Sequence, residues 1–140
     1  MQTFLPYPDF VESARVLDWR RLGKQRVEAQ QLLRAITARA GGWQAHPAAR
    51  MWQGYAHALA VYGQIMVNEW TRRGYRNSMS FRLAEAAELA VLAVVMPPWV
   101  GSPEFHAAHR SALLRKDPGW YGQFGWAEAP GLPYVWPVGG

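Results

Sequence analysis

No stretch of this chain alternates apolar and polar residues with period two for long enough to make a strand. Its apolar residues instead recur at three and four, between glycine and proline stops, which is the spacing of helices. A helix is expected from Asp18 to Ala40, with Asp18 as N-cap, Leu22, Ala29, Leu33 and Ile36 on one face, and Gly41-Gly42 as its stop. After the loop GWQAHP, where Pro47 suits a first turn, a second helix is expected from about Ala48 to Arg73. Its stripe is Met51/Trp52, Tyr55, Leu59, Tyr62, Ile65/Met66 and Trp70, and Gly74 follows as C′ residue. A third, about Phe81 to Val95, is nearly all apolar and therefore the buried one, and Pro97-Pro98 ends it. Ser102-Pro103-Glu104 opens a fourth that reaches about Lys116, with Pro118 beyond. Met1 to Pro8 reads as an extended arm, Asp9 to Leu17 as a short helical turn, and the last 22 residues as irregular and aromatic. The expected fold is all-α. Residues 1–140 form a single compact domain of three to four main helices, with an extended N-terminal arm and an irregular aromatic C-terminal tail wrapping over them.

At 140 residues, half of them hydrophobic, the chain can bury one real core and is not a disordered tail. It has no cysteine, which excludes a disulfide scaffold, a thiolate zinc site, an iron–sulfur cluster and a cysteine nucleophile. The longest apolar run, Leu89 to Val100, is broken by Pro97-Pro98 and falls short of the ~20 residues that span a bilayer. The first ten residues have neither the basic region nor the apolar stretch of a signal peptide. A cytoplasmic protein with no membrane contact is expected.

Net charge is +5, but its distribution says more. Residues 15–82 carry twelve bases against Asp18, Glu28 and Glu69, a local excess of +9, while each flanking segment is at −2. Such segregation points to one basic face and a polyanionic partner. The competing reading is an Arg-rich coding style, since 13 of the 15 bases are Arg.

Between Asp18 and Glu69 the only acid is Glu28. Helical spacing puts Arg21, Lys24, Gln25, Gln31 and Leu32 on its face, with Arg20 and Arg26 flanking. A helix that only gripped phosphate would gain by losing this carboxylate. Two readings stand: an ordinary Lys24–Glu28 pair, worth a few tenths of a kcal/mol, or a carboxylate kept for catalysis. In the C-terminal string HRSALLRKDPGWYGQFGW, Arg110, Arg115 and Lys116 precede Trp120, Tyr121, Phe124 and Trp126. Bases that grip phosphate followed by rings that stack are what single-stranded or flipped-out DNA requires, and a ring cluster that seals the core is the alternative.

Three stretches carry a resemblance. LDWRRLGKQRVEAQQLL, HPAARMWQGYAHALAVYGQIMVNEWTRRGY and FHAAHRSALLRKDPGWYGQFG are similar, in order and spacing, to the first, central and third helices, with the tail that follows, of the pyrimidine-dimer DNA glycosylases. The resemblance spans roughly Leu17 to Gly125. It implies a compact all-α enzyme, a bifunctional DNA glycosylase and apurinic-site lyase, with Glu28 at the family's catalytic glutamate. In that mechanism an N-terminal amine attacks the sugar C1′, releases the damaged base, and leaves an imine that undergoes β-elimination. An α-amine titrates near ~7.7–8 and so has a usable neutral fraction, whereas lysine titrates near ~10.4. The family's nucleophile follows a removed Met. Here residue 2 is the bulky Gln2, so Met1 is expected to be retained and to supply the amine. Where the family has Arg directly before the glutamate, this chain has Val27, with Arg26 one position back. Met1, Lys24 and Lys116 carry the only primary amines, and Lys24, one turn from Glu28, is the reserve nucleophile.

The expected site is therefore Glu28, Met1 and Lys24 for catalysis, and Arg20, Arg21, Arg26, Arg110, Arg115, Lys116, Trp120 and Tyr121 for DNA. The expected partner is damaged double-stranded DNA at the nucleoid, with no cofactor, no metal and no obligate protein partner. A non-catalytic nucleic-acid-binding module of the same fold is the alternative, and an interaction domain with an aromatic pocket is a third reading. His106 and His109 form an H-x-x-H pair without a third ligand nearby in sequence. Arg72, Arg73 and Arg76 are either a second phosphate patch or a solvated helix end.

Overall fold

The first three helices begin where a polar side chain takes an unpaired backbone N–H. Asp9 accepts the Glu12 N–H at 2.9 Å and opens α1, Phe10–Val16. Asp18 accepts that of Arg21 at 3.4 Å and opens α2, Trp19–Thr37. His46 Nδ1 accepts that of Ala48 at 3.0 Å and opens α3, Pro47–Trp52. Then come α4, Ala56–Arg72, α5, Pro103–Lys116, the single turn α6, Pro118–Tyr121, and a 3₁₀ turn, Gly122–Phe124. The computed structural model describes residues 1–39, 41–79, 81 and 94–137. Among these the fold is all-α, a single domain with six α-helices and no strand. The helix expected from Phe81 to Val95 falls, from residue 82 to residue 93, outside the described residues. No described helix is long and apolar enough to cross a membrane.

The core forms where α2 lies against α4, with α1 packed on α4 and α3 on α2. The buried face of α2 is Leu22, Gln25, Ala29, Leu32 and Ala35, while Leu33 and Ile36 are only half-buried. The center of the stripe is thus one position off the expected one, and it includes a glutamine.

The single helix expected from Ala48 to Arg73 is two. Gln53 leaves the helical region, Gly54 sits at φ +86 and Tyr55 at φ −125, so the chain turns before α4 starts. Only glycine adopts such a φ without steric cost. The apolar spacing runs through the break unchanged, which is why the pattern read as one helix. Gly63, inside α4, has a different reason to be glycine: a Cβ there would lie 2.4 Å from the Phe81 ring. Gly63→Ala is expected to lower stability by ~1–3 kcal/mol, the usual cost of overpacking, and urea unfolding measures it.

The N-terminal arm is extended as expected, but it runs through the core and not over it. Gln2, Thr3, Phe4 and Leu5 are buried, Leu5 and Thr3 completely. Buried backbone groups need partners, and with no neighboring strand the partners are side chains. The Phe4 N–H donates to Gln25 Oε1 (2.9 Å), and Gln25 Nε2 donates to the Gln2 carbonyl (2.9 Å). The Leu5 N–H donates to His109 Nδ1 (2.9 Å), while His106 Nδ1 donates to the Leu5 carbonyl (2.7 Å) and takes the Gly101 N–H on Nε2 (2.8 Å). Arg110 Nη1 donates to the Pro6 carbonyl at 2.8 Å. The H-x-x-H pair therefore clamps Leu5, and no cluster among the described residues could hold a metal ion.

Burial holds both clamp histidines neutral, with His109 pushed down to about 3 and His106 lowered. In the unfolded chain they bind a proton below ~6.5. The stability they contribute is therefore present above that pH and is lost as pH falls toward the folded value. From pH 7 to 5 a loss of about 2 kcal/mol is expected from His109. Thermal melts check it: His109→Asn, whose Oδ1 reaches toward the position of Nδ1, should flatten the pH slope, and an unchanged slope would contradict the assignment.

Candidate active site

The arm delivers the N-terminus to α2. The Gln2 N–H donates to Glu28 Oε2 at 3.3 Å, and Gln25 Nε2 donates to the same oxygen at 3.0 Å. One residue spans at most ~3.6 Å, so the Met1 α-amine lies within about 7 Å of that oxygen. Gln25 is the hub: 1% exposed, it bonds Gln2, Phe4 and Glu28. Its orientation is fixed by Tyr62, whose hydroxyl lies 2.5 Å from Gln25 Oε1 and 2.9 Å from the Phe4 carbonyl. Tyr62 is fully buried, and burial first, then the charge of Glu28, raise its pKa well above the ordinary range, so it stays a neutral donor. No Lys24–Glu28 ion pair forms; the carboxylate is committed to the arm instead.

Met1, Gln2, Gln25 and Glu28 open onto a groove of about 1420 Å³. Seven basic side chains line it, Arg15, Arg20, Arg21, Lys24, Arg72, Arg73 and Lys116, against the carboxylates of Asp18, Glu28 and Asp117. Some of this charge is spoken for. Arg21 Nη1 lies 3.1 Å from Asp18 Oδ1. Arg72 grips Glu69 with two nitrogens, at 2.7 and 2.6 Å, and Arg73 Nε adds a third bond at 2.9 Å. Those bonds, that of Arg72 foremost, hold buried Glu69 below the ordinary carboxylate range. Arg73 also donates to the Ala14 and Arg15 carbonyls at the end of α1. Arg15, Arg20, Lys24 and Lys116 have no carboxylate partner among the described residues.

Of the residues expected at the site, Met1, Lys24, Glu28, Arg20, Arg21, Lys116 and Trp120 meet in this groove. Four expected DNA contacts do not. Arg26 stacks over Trp70 at 4.2 Å and donates to Asn77 Oδ1 at 2.6 Å. Arg110 pairs with Glu128 at 2.6 Å while holding Pro6, which ties the tail to the arm. Arg115 borders a separate cleft of about 550 Å³ with Lys116 and Tyr134. Tyr121 is fully buried, so its ring offers no face to a base. Its hydroxyl donates to Asp18 Oδ1 and accepts the Asp18 N–H at 3.0 Å. Burial raises the Asp18 pKa, yet the bonds from Tyr121 and Arg21 outweigh it and hold the carboxyl below its ordinary value.

Sequence spacing put Gln25 on the face of Glu28 but gave it no task, and His46 entered the sequence reading only as a remote metal ligand that was set aside. His46 caps α3, and its rings of contact are Trp43 and Trp136, with centroids at 5.5 and 5.8 Å. Partial burial first, then the Met1 ammonium, lower its pKa, while Glu28 raises it. His46 thus feels both ends of the Met1–Glu28 pair. The sequence signal for the hub was a buried-face glutamine opposite an arm rich in apolar residues.

A family model described as pyrimidine dimer DNA glycosylase matches residues 1–83. That range holds the arm, α1 to α4, and Met1, Gln25 and Glu28. No curated protein and no solved structure matches the chain.

Proposed function

The chain belongs to the pyrimidine dimer DNA glycosylase family, and from that premise we propose that it excises a damaged pyrimidine from double-stranded DNA and then cuts the strand at the resulting site. The α-amine of Met1 is the nucleophile on this reading and Glu28 its partner carboxylate. The observation that carries it is the tether from Gln2 to Glu28, which holds the N-terminus beside the one acid of a basic helix.

In the first step the neutral amine attacks C1′. The C1′–N bond to the enzyme forms, the glycosidic bond breaks, and the base leaves with the bonding pair and takes up a proton. The sugar ring opens to a protonated imine as C1′–O4′ breaks. Glu28 stabilizes the cationic sugar and accepts or returns protons. Loss of the C2′ proton then expels the 3′ phosphate, and water hydrolyzes the imine to free the amine. Arg20, Lys24 and Lys116 face the phosphates, and Lys24 is the fallback nucleophile. The work is done in the cytoplasm, at the nucleoid, without cofactor or obligate protein partner.

The test compares two substrates, a UV-irradiated duplex and a duplex with a preformed abasic site. Glycosidic-bond cleavage at the lesion of the first and strand cleavage of both are expected. Glycosidic cleavage without strand cleavage would keep the glycosylase and remove the lyase step. DNA binding with neither product would make the chain a binding module of the same fold.

A further inference from the structure

Four large aromatic rings stand well exposed among the described residues, and three of them, Trp19, Tyr75 and Trp120, line the same groove. Trp19 is 53% exposed, Tyr75 40% and Trp120 39%, whereas Trp52 and Trp99 are buried. Leaving such surface in water forfeits burial worth ~25 cal/mol per Å², so a concentration of it in one basic groove calls for a flat apolar ligand. Two of the three rings are held by their neighbors. Trp120 is pinned by its indole N–H, which donates to the Val16 carbonyl at 2.7 Å. Trp19 carries the Arg20 guanidinium at 5.3 Å. Tyr75 stacks on Trp70 at 4.3 Å with 30° between planes, and Trp70 is itself held by Arg76 and covered by Arg26.

We propose that Trp19, Tyr75 and Trp120 form a stacking site for unpaired DNA bases, so that the groove takes a strand with locally unpaired nucleotides in preference to intact duplex. This rests on the groove being a DNA site. An intact duplex presents phosphates and base edges but hides the base faces, and ring faces add nothing to its binding. An unpaired strand presents both a polyanionic backbone and flat bases. The groove answers both, with Tyr75 and Trp120 fixed from behind and with Arg20, Lys24 and Lys116 free of carboxylate partners among the described residues.

The test uses fluorescence anisotropy with three oligonucleotides of one sequence: a single strand, an intact duplex, and a duplex with a short unpaired loop. The chain should bind the loop and the single strand roughly tenfold or more tighter than the intact duplex. The Trp19→Ala/Tyr75→Ala pair should cancel that preference while leaving intact-duplex affinity within about twofold, because phosphate contacts remain. Both positions are exposed, and a Leu pair, which keeps apolar bulk without a ring, gives the same readout should the Ala pair unfold. Lys116→Gln should weaken all three substrates alike. Equal affinity for loop and intact duplex in a chain that still processes damaged DNA overturns this proposal and leaves the enzyme reading standing. So does a preference that survives the double variant. Binding to none of the three overturns both.

Discussion

Glu28→Gln is expected to slow base excision by ~10²–10⁴-fold, the range associated with a lost acid–base group. DNA binding should stay the same or tighten, because the change removes a negative charge from a groove that meets phosphates. The variant separates chemistry from architecture. Gln is the same shape as Glu and keeps an oxygen that can accept from Gln2 and Gln25, so the arm stays tethered. What is lost is the charge that stabilizes a cationic sugar. Single-turnover glycosidic cleavage and equilibrium binding on the same damaged duplex read the two effects independently. Wild-type excision by the variant would remove Glu28 from the mechanism.

Gln25→Leu should have the second large effect, and for a structural reason. The replacement fills similar space but leaves the Phe4 N–H and the Gln2 carbonyl buried without partners. At ~1–3 kcal/mol for each orphaned group, a loss of roughly 2–6 kcal/mol is expected, visible in urea unfolding. Activity should fall further than stability explains, since a misplacement of ~1 Å at a reacting group can cost ~10²-fold. Tyr62→Phe is the milder companion. It removes one hydroxyl from the hub and should cost ~1 kcal/mol while the arm keeps its other bonds. A Gln25→Leu variant with wild-type melting and rate would mean that the arm is held by something other than this network.

The starts of α1 and α2 and the end of α4 were legible because local signals agreed with the fold. Asp9 and Asp18 cap where short acids precede helical spacing, and Gly74 ends α4 as a C′ glycine should. Gly54 was not legible, because a glycine inside an unbroken apolar pattern costs a helix only ~1 kcal/mol and need not end it. The site divides the same way. Glu28 stood out by charge contrast alone, and it does sit with Met1, Arg20, Arg21, Lys24 and Lys116. Arg110 and Tyr121 looked like DNA contacts because composition cannot show that Glu128 and Asp18 wait for them. His106 and His109 had no visible task in the sequence because a backbone group as partner leaves no trace there. The buried arm was hidden for a related reason. Its backbone is satisfied by side chains from α2, α4 and α5, a tertiary arrangement that no periodicity reports.

The account's central claim is that this arm places the Met1 α-amine at the reacting sugar. Borohydride reduction during turnover on abasic-site DNA, followed by peptide mapping of the trapped complex, tests it most directly. The account predicts a covalent adduct on the Met1 α-nitrogen, formed by the wild type and blocked by acetylation of that amine. An adduct on Lys24 with a free N-terminus, or strand cleavage with no adduct at all, would contradict it.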